Sequence, residues 1–231
     1  MINKIKNIII KKNLDGYIVP KNDKYFTEYS KISNLELVTN FSGSAGFAII
    51  LRNKNYLFVD GRYTIQAKKQ SGKNFKILEI PLIWPRNIFK SSKNKLDIGF
   101  DPKLFTYNSL NHYFDNTCNL IPINDGLFYK INNKNLKTNK FYKLSKKITG
   151  ESSKSKISRV IKILNKKKID YLFISAGENV CWLMNIRGKD LPNSPIANCN
   201  LILTKNREIY FFSKLNKISE IKKKFVNQKI F

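Results

Sequence analysis

Apolar and polar positions alternate along the chain in short runs. Residues 47–51 and 56–59 are apolar, and the tetrapeptide Arg52-Asn53-Lys54-Asn55 separates them. Two short apolar runs joined by a polar turn predict a β-hairpin. Ser42-Gly43-Ser44-Ala45-Gly46 leads into it, Asp60-Gly61-Arg62-Tyr63 ends it, and residues 64–69 read as a helix. Upstream, the spacing of Ile5, Ile8 and Ile9 predicts a helix over 2–12. A short strand follows at 17–19, then a turn or short helix at 24–29 and an extended piece at 35–39. Downstream, the pattern predicts a strand at 76–80, a helix at 83–91 opened by Pro85, and a buried strand at 96–100. A helix at 106–116 and an extended piece at 120–123 complete this part. Helices and strands in alternation predict an α/β layer fold.

Residues 130–155 are polar and lysine-rich and read as a boundary. Beyond them, a helix at 157–164, a strand at 171–175 and a hairpin formed by 201–203 and 209–212 echo the first part. Leu14-Asp15-Gly16-Tyr17-Ile18-Val19 matches Lys168-Ile169-Asp170-Tyr171-Leu172-Phe173-Ile174, and Asn40-Phe41-Ser42-Gly43 matches Asn185-Ile186-Arg187-Gly188. After the second hairpin only a lysine-rich helix at 217–225 is predicted, so the second copy is expected to be partial. The expected organisation is a first domain at 1–140, a lysine-rich linker at 141–155 and an incomplete second domain at 156–231.

Composition adds a large basic excess, 43 Lys and Arg against 16 Asp and Glu, for a net charge of +27. The lysines are spread along the chain, and Asn and Ile are abundant beside them, the residues an AT-rich coding sequence favours. Charge runs such as 134–147 read as solvated faces, which sets nucleic-acid binding below compositional drift. A hydrophobic fraction of 42% is enough to fill a core. No stretch approaches the ~20 apolar residues of a membrane span. Ile8-Ile9-Ile10 is too short for a signal segment and no small-residue cleavage site follows. Cys118, Cys181 and Cys199 form no CxxC pair and read as buried thiols in a reducing compartment. The expected location is cytoplasmic, with no membrane and no nucleic acid.

Few residues carry chemistry. His112 has no acidic or histidine partner at ligand spacing and reads as a helix histidine. Ser44 or Ser175 as a nucleophile would need a base, and no motif supplies one. Asp101 and Asp115 read as turn and helix-end residues, and Trp182 with Cys181 and Ile186 as core. Gly43 and Gly46 fit a tight turn better than an anion nest, since the Walker lysine is absent. Arg187 is expected to pair locally with Asp190. Arg62 allows two readings that spacing leaves open: a surface ion pair with Asp60, or a guanidinium fork for a carboxylate or carbonyl.

The run 40–46 followed by 59–67 resembles the creatinase-type N-terminal domain of Xaa-Pro aminopeptidases, members of the M24 metallopeptidase family. Trp182-Leu183-Met184-Asn185-Ile186-Arg187-Gly188-Lys189-Asp190 is similar to the second-domain motif of the three-domain members, and Gly99-Phe100-Asp101-Pro102 fits their first domain. The loop at Gly177-Glu178-Asn179 departs from the acidic pair of many relatives, and no role is carried over to it. The resemblance implies a mixed sheet flanked by helices, followed by a partial second copy. It also implies a pita-bread catalytic domain elsewhere, holding a dinuclear Mn²⁺ site on two Asp, one His and two Glu. The resemblance also implies further histidines around that site; this chain has one histidine, His112, so no catalytic residue and no metal ligand is expected in it. It would be the non-catalytic N-terminal portion, shaping the pocket for a proline-containing peptide, with Arg62 reaching the substrate. A homodimer is left open. The alternatives are a stand-alone interaction module of the same fold and a basic nucleic-acid binder.

Overall fold

In the computed structural model, residues 1–23, 26, 33–90, 94–124, 126, 128, 139–191, 193–213 and 217 are described. They fall into two compact units, Met1–Asn135 and Leu136–Phe231.

The first unit runs α1 (Ile2–Lys11), β1 (Gly16–Pro20), α2 (Asn34–Thr39), β2 (Phe47–Leu51), β3 (Asn55–Asp60), α3 (Thr64–Ser71), β4 (Lys76–Ile80), α4 (Pro85–Phe89), β5 (Asp97–Phe100), α5 (Tyr107–Phe114) and β6 (Asn119–Pro122). Its six-stranded sheet has the order β4-β3-β2-β1-β5-β6. β1, β2 and β3 are antiparallel neighbours, and β4, β5 and β6 add in parallel. This is the expected mixed sheet. Both faces are covered. Ile18, Ile49 and Phe58 on one side and Tyr17, Ile50 and Leu57 on the other are fully buried. A strand buried on both faces reads as a continuous apolar run, which is why β2 and β3 are legible.

Residues 35–39, expected to be extended, form α2 instead. Ser33 caps it by accepting a hydrogen bond from the Glu36 N–H at 3.1 Å. Leu35 and Val38, one turn apart, are both buried, and Asn40 closes the helix with φ 65°. The signal is a serine followed three residues later by glutamate. Of the piece expected at 24–29, all but Phe26 lies outside the described residues.

The second unit contains β7 (Tyr142–Lys143), α6 (Lys146–Thr149), α7 (Ser153–Lys166), β8 (Tyr171–Ile174), α8 (Gly177–Met184), β9 (Ile186–Arg187), β10 (Asn200–Thr204) and β11 (Ile209–Phe212). β11-β10-β8 form an antiparallel sheet, and β7 pairs with β9. The segment 141–155, expected as a linker, is built into this unit. Phe141 is fully buried edge-on against Phe211, and β7, α6 and the start of α7 follow it. Its lysines face solvent, so its polarity marks a surface rather than a gap. The Gly177-Glu178-Asn179 segment, expected as a loop, opens α8. Val180, Leu183 and Met184, spaced three and four apart, are all buried. Of the helix expected at 217–225, only Lys217 is described.

The duplication extends to atomic detail. α1 and α7 are each followed by a left-handed residue, Asn13 at φ 50° and Lys168 at φ 55°. Next in line, Leu14 N–H donates to the Ile9 carbonyl at 2.8 Å and Ile169 N–H to the Leu164 carbonyl at 2.9 Å. The carbonyls of Asp15 and Asp170 accept from the N–H groups of Arg52 and Lys205. Their carboxylates pair with the side chains of the same two residues, at 3.9 and 2.6 Å. Asn40 and Asn185, both left-handed, end α2 and α8. Thus β8, β10 and β11 repeat β1, β2 and β3.

Candidate functional site

The hairpin delivers Arg62. β3 ends at Asp60, and residues Gly61–Tyr63 form a 3-10 turn capped by the Asp60 carboxylate. Asp60 Oδ1 accepts from the Arg62 N–H at 3.0 Å and from its Nε at 3.1 Å, while Oδ2 accepts from Nη2 at 2.7 Å. Three bonds thus set both the backbone and the plane of the guanidinium. The Arg62 hydrogen bond holds the Asp60 carboxyl below its ordinary range. The Arg62 side chain is 74% exposed.

The neighbours of the fork are ordered too. The Arg62 guanidinium carbon sits 5.3 Å from the centre of the Tyr63 ring. Tyr63 shares a hydrogen bond of 2.8 Å with Ser44 and receives Phe41 edge-on at 5.8 Å. The turn before the hairpin is therefore tied to the turn after it. Gly46 adopts φ 149°, and a Cβ there would lie 2.6 Å from the Phe58 carbonyl oxygen. That is the structural role expected of this glycine. Ser42 Oγ accepts from Gln66 and Gln70 at 3.0 Å each, extending a polar exposed surface beside the fork. Arg62 and Asp60 are legible in the sequence because only Gly61 separates them. The link between Tyr63 and Ser44 is not, because it depends on tertiary structure.

The remaining candidates serve the fold, although Trp182, expected in the core with Cys181 and Ile186, is 49% exposed and lies under the Lys156 ammonium at 4.4 Å. His112 is exposed, its ring lies 4.5 Å from that of Trp84, and its carbonyl accepts from Arg86. Asp101 caps a 3-10 turn through the Lys103 N–H, and Asp115 ends α5 in the left-handed region at φ 46°. All three cysteines are buried and free. Burial pushes the Cys118 thiol up to about 12. The hydrogen bond between Cys181 and Cys199 lowers the former and raises the latter. Arg187 donates to the Ile186 and Cys181 carbonyls at 2.8 and 3.2 Å. Its expected partner Asp190 is instead buried against Lys217 and accepts from the Asn198 N–H. A carboxylate that leaves water needs a buried cation, and Lys217 reaches it where Arg187 is drawn to the end of α8. A polar cavity of about 290 Å³ in the second unit is lined by Lys143, Ser145, Lys146, Ser152, Ser153 and Asn185 among others. Among the described residues, no three His, Cys, Asp or Glu side chains are grouped to hold a metal ion. The described residues thus do not fit the dinuclear centre that the resemblance implies. Nor, among them, is any helix long and apolar enough to cross a membrane.

The mixed sheet, its hairpin and the repeated second unit define a duplicated α/β domain. Two family models, both described as Creatinase/Prolidase N-terminal domain, match residues 1–129 and 132–230, and the chain belongs to that family. It is 27% identical over 237 residues to Xaa-Pro aminopeptidase 1 of Dictyostelium discoideum, an alignment covering 93% of this chain and 38% of that protein. The crystal structure of an X-prolyl aminopeptidase from Caenorhabditis elegans matches 94% of this chain and 38% of its own, with a TM-score of 0.81 and 25% identity. That protein is described as a cytosolic enzyme with a di-nuclear active site. The chain spans little more than a third of the length of its curated relatives.

Proposed function

We propose that this chain is the non-catalytic N-terminal portion of a cytoplasmic Xaa-Pro aminopeptidase, and that its first unit borders the pocket for a proline-containing peptide. The supporting observation is coverage. Nearly the whole chain superposes on just over a third of an X-prolyl aminopeptidase, while its described residues offer no metal-ligand cluster. Metal-assisted hydrolysis needs clustered carboxylate and imidazole ligands. The chemistry therefore belongs to the remainder of such an enzyme, where a dinuclear metal such as Mn²⁺ would sit. The chain's own contribution is Arg62, whose planar fork stands ready for a peptide carboxylate or carbonyl.

Two measurements test this. The 231-residue chain alone should bind no stoichiometric Mn²⁺ by calorimetry and release no residue from Xaa-Pro peptides. Metal-dependent release by the isolated chain would overturn the reading. In a chain joined to its catalytic domain, Arg62→Lys should leave Tm nearly unchanged, because exposed ion pairs contribute only ~0–1 kcal/mol. It should lower kcat/KM about tenfold for each ~1.4 kcal/mol of transition-state stabilisation that the guanidinium supplies and the ammonium does not. A large drop in Tm with unchanged kinetics would assign Arg62 to the fold.

A further inference from the structure

Aspartate rearranges most readily where glycine follows it. The glycine nitrogen bonds to the side-chain carboxyl carbon, the carboxyl hydroxyl and the amide hydrogen leave as water, and a cyclic imide forms. Water then opens the imide. Breaking its bond to the side-chain carbon restores aspartate, and breaking its bond to the main-chain carbon leaves isoaspartate, whose main chain runs through Cβ. The neutral carboxyl is the reactive form, and it must be able to turn onto the nitrogen. The chain carries this dipeptide at Asp15-Gly16, Asp60-Gly61 and Asp125-Gly126. Asp125 lies outside the described residues. Gly16 is buried in β1, and Asp15 Oδ2 accepts from the Asp97 N–H at 2.9 Å. Gly61 is exposed and opens a 3-10 turn. There Arg62 holds the carboxylate. Its main-chain N–H and Nε reach Asp60 Oδ1 at 3.0 and 3.1 Å, and Nη2 reaches Oδ2 at 2.7 Å. Bonds to both oxygens stop the carboxyl from turning, and the guanidinium favours its ionised form. Both conditions for the rearrangement therefore require the fork to let go.

We propose that Asp60-Gly61 is a site of aspartate isomerisation and that Arg62 is the lock that keeps it closed. The product adds a carbon to the main chain at the end of β3, which removes the cap of the turn and displaces the guanidinium. The proposal stands on the bonds of the turn and not on the enzymatic reading.

The full 231-residue chain, Arg62→Gln and Arg62→Gln/Gly61→Ala are aged together at neutral pH and physiological temperature. Isoaspartate at position 60 is read by mass spectrometry after digestion with a protease that cuts before aspartate but not before isoaspartate. A synthetic peptide of residues 56–66 gives the unrestrained rate. The parent should isomerise at least about tenfold more slowly than the peptide. Arg62→Gln should be at least about threefold faster than the parent, since the neutral fraction rises about tenfold for each unit the carboxyl moves up. The double variant should return to the parent rate or below, because a methyl group at 61 hinders the nitrogen. Alanine fits there: Gly61 has no positive φ, and a Cβ would meet only the Glu79 side chain, 2.9 Å from its Oε1. Asp15-Gly16 in the same digests reports any general loosening of the first unit. A parent as fast as the peptide would overturn the proposal. So would equal rates in parent and Arg62→Gln, a double variant that stays fast, or a gain at Asp15 equal to the gain at Asp60.

Discussion

Asp60 determines what Arg62 can do. Its carboxylate fixes the backbone of the turn and the plane of the guanidinium together, so the fork is oriented before anything binds. Orientation beforehand reduces the entropy lost on binding. The Arg62 hydrogen bond lowers the folded-state titration of Asp60. The pair therefore stabilises the fold above the ordinary carboxylate range, and that contribution disappears as pH falls through the lower folded value. Arg62→Gln should move the Asp60 midpoint back up in an NMR titration; an unmoved midpoint would mean that another group holds it down. Lys156 is the contrasting case, a buried lysine that donates to the Trp182 carbonyl and to Asn185 Oδ1, both at 2.9 Å. Its ammonium serves the C-terminal end of α8, where helix carbonyls lack partners. Lys156→Met keeps the stem and removes both bonds. It should cost at least about 1.5–3 kcal/mol in denaturant unfolding, the range for a single hydrogen bond to a charged group. Sequence could single out Arg62, whose clamp is two residues away. It could not single out Lys156 among so many lysines, because its partners lie 26 and 29 residues downstream.

Among the elements, those with long apolar runs were legible and those defined by capping or pairing were not. β2, β3, β10 and β11 carry their own signal in runs interrupted by polar turns. α2 is only six residues long, and its two core positions resemble a strand unless Ser33 and Glu36 are read together. Ser33→Ala removes that cap at a buried site and should cost about 1 kcal/mol, while Ser33→Asp should retain most of it. Thermal melts of the two variants beside the parent decide this; equal losses in both would show that packing of Leu35 and Val38 alone sets the helix. β7 and β9 have two residues each, below the length at which any periodicity exists. Pairing between Tyr142 and Arg187 creates them, and no local pattern announces it.

At the scale of the molecule, the duplication was legible because both copies keep the same order of helix, Asp-bearing strand start, Asn-Gly segment and hairpin. Where the second unit begins was not, because lysine-rich sequence looks alike on a folded surface and in a linker. That lysine content has its own physical consequence. The chain holds 43 basic and 16 acidic side chains. The exposed pairs Arg52–Asp15, Arg62–Asp60, Arg159–Glu151 and Lys205–Asp170 contribute only ~0–1 kcal/mol each. Folding brings the excess lysines closer together than they stand in the expanded chain, so self-repulsion opposes the compact state. The screening length falls from about 30 Å at 0.01 M salt to about 10 Å at 0.1 M, which removes most of that repulsion. Tm should therefore rise by several degrees between ~0.01 and ~0.3 M NaCl, although the same salt weakens the exposed pairs. Melting curves in NaCl and in sodium sulfate at equal ionic strength separate screening from anion binding: coincident curves indicate screening. A Tm that falls with salt would show that the few ion pairs outweigh the net charge, and that the lysines stand far enough apart in the fold to be harmless.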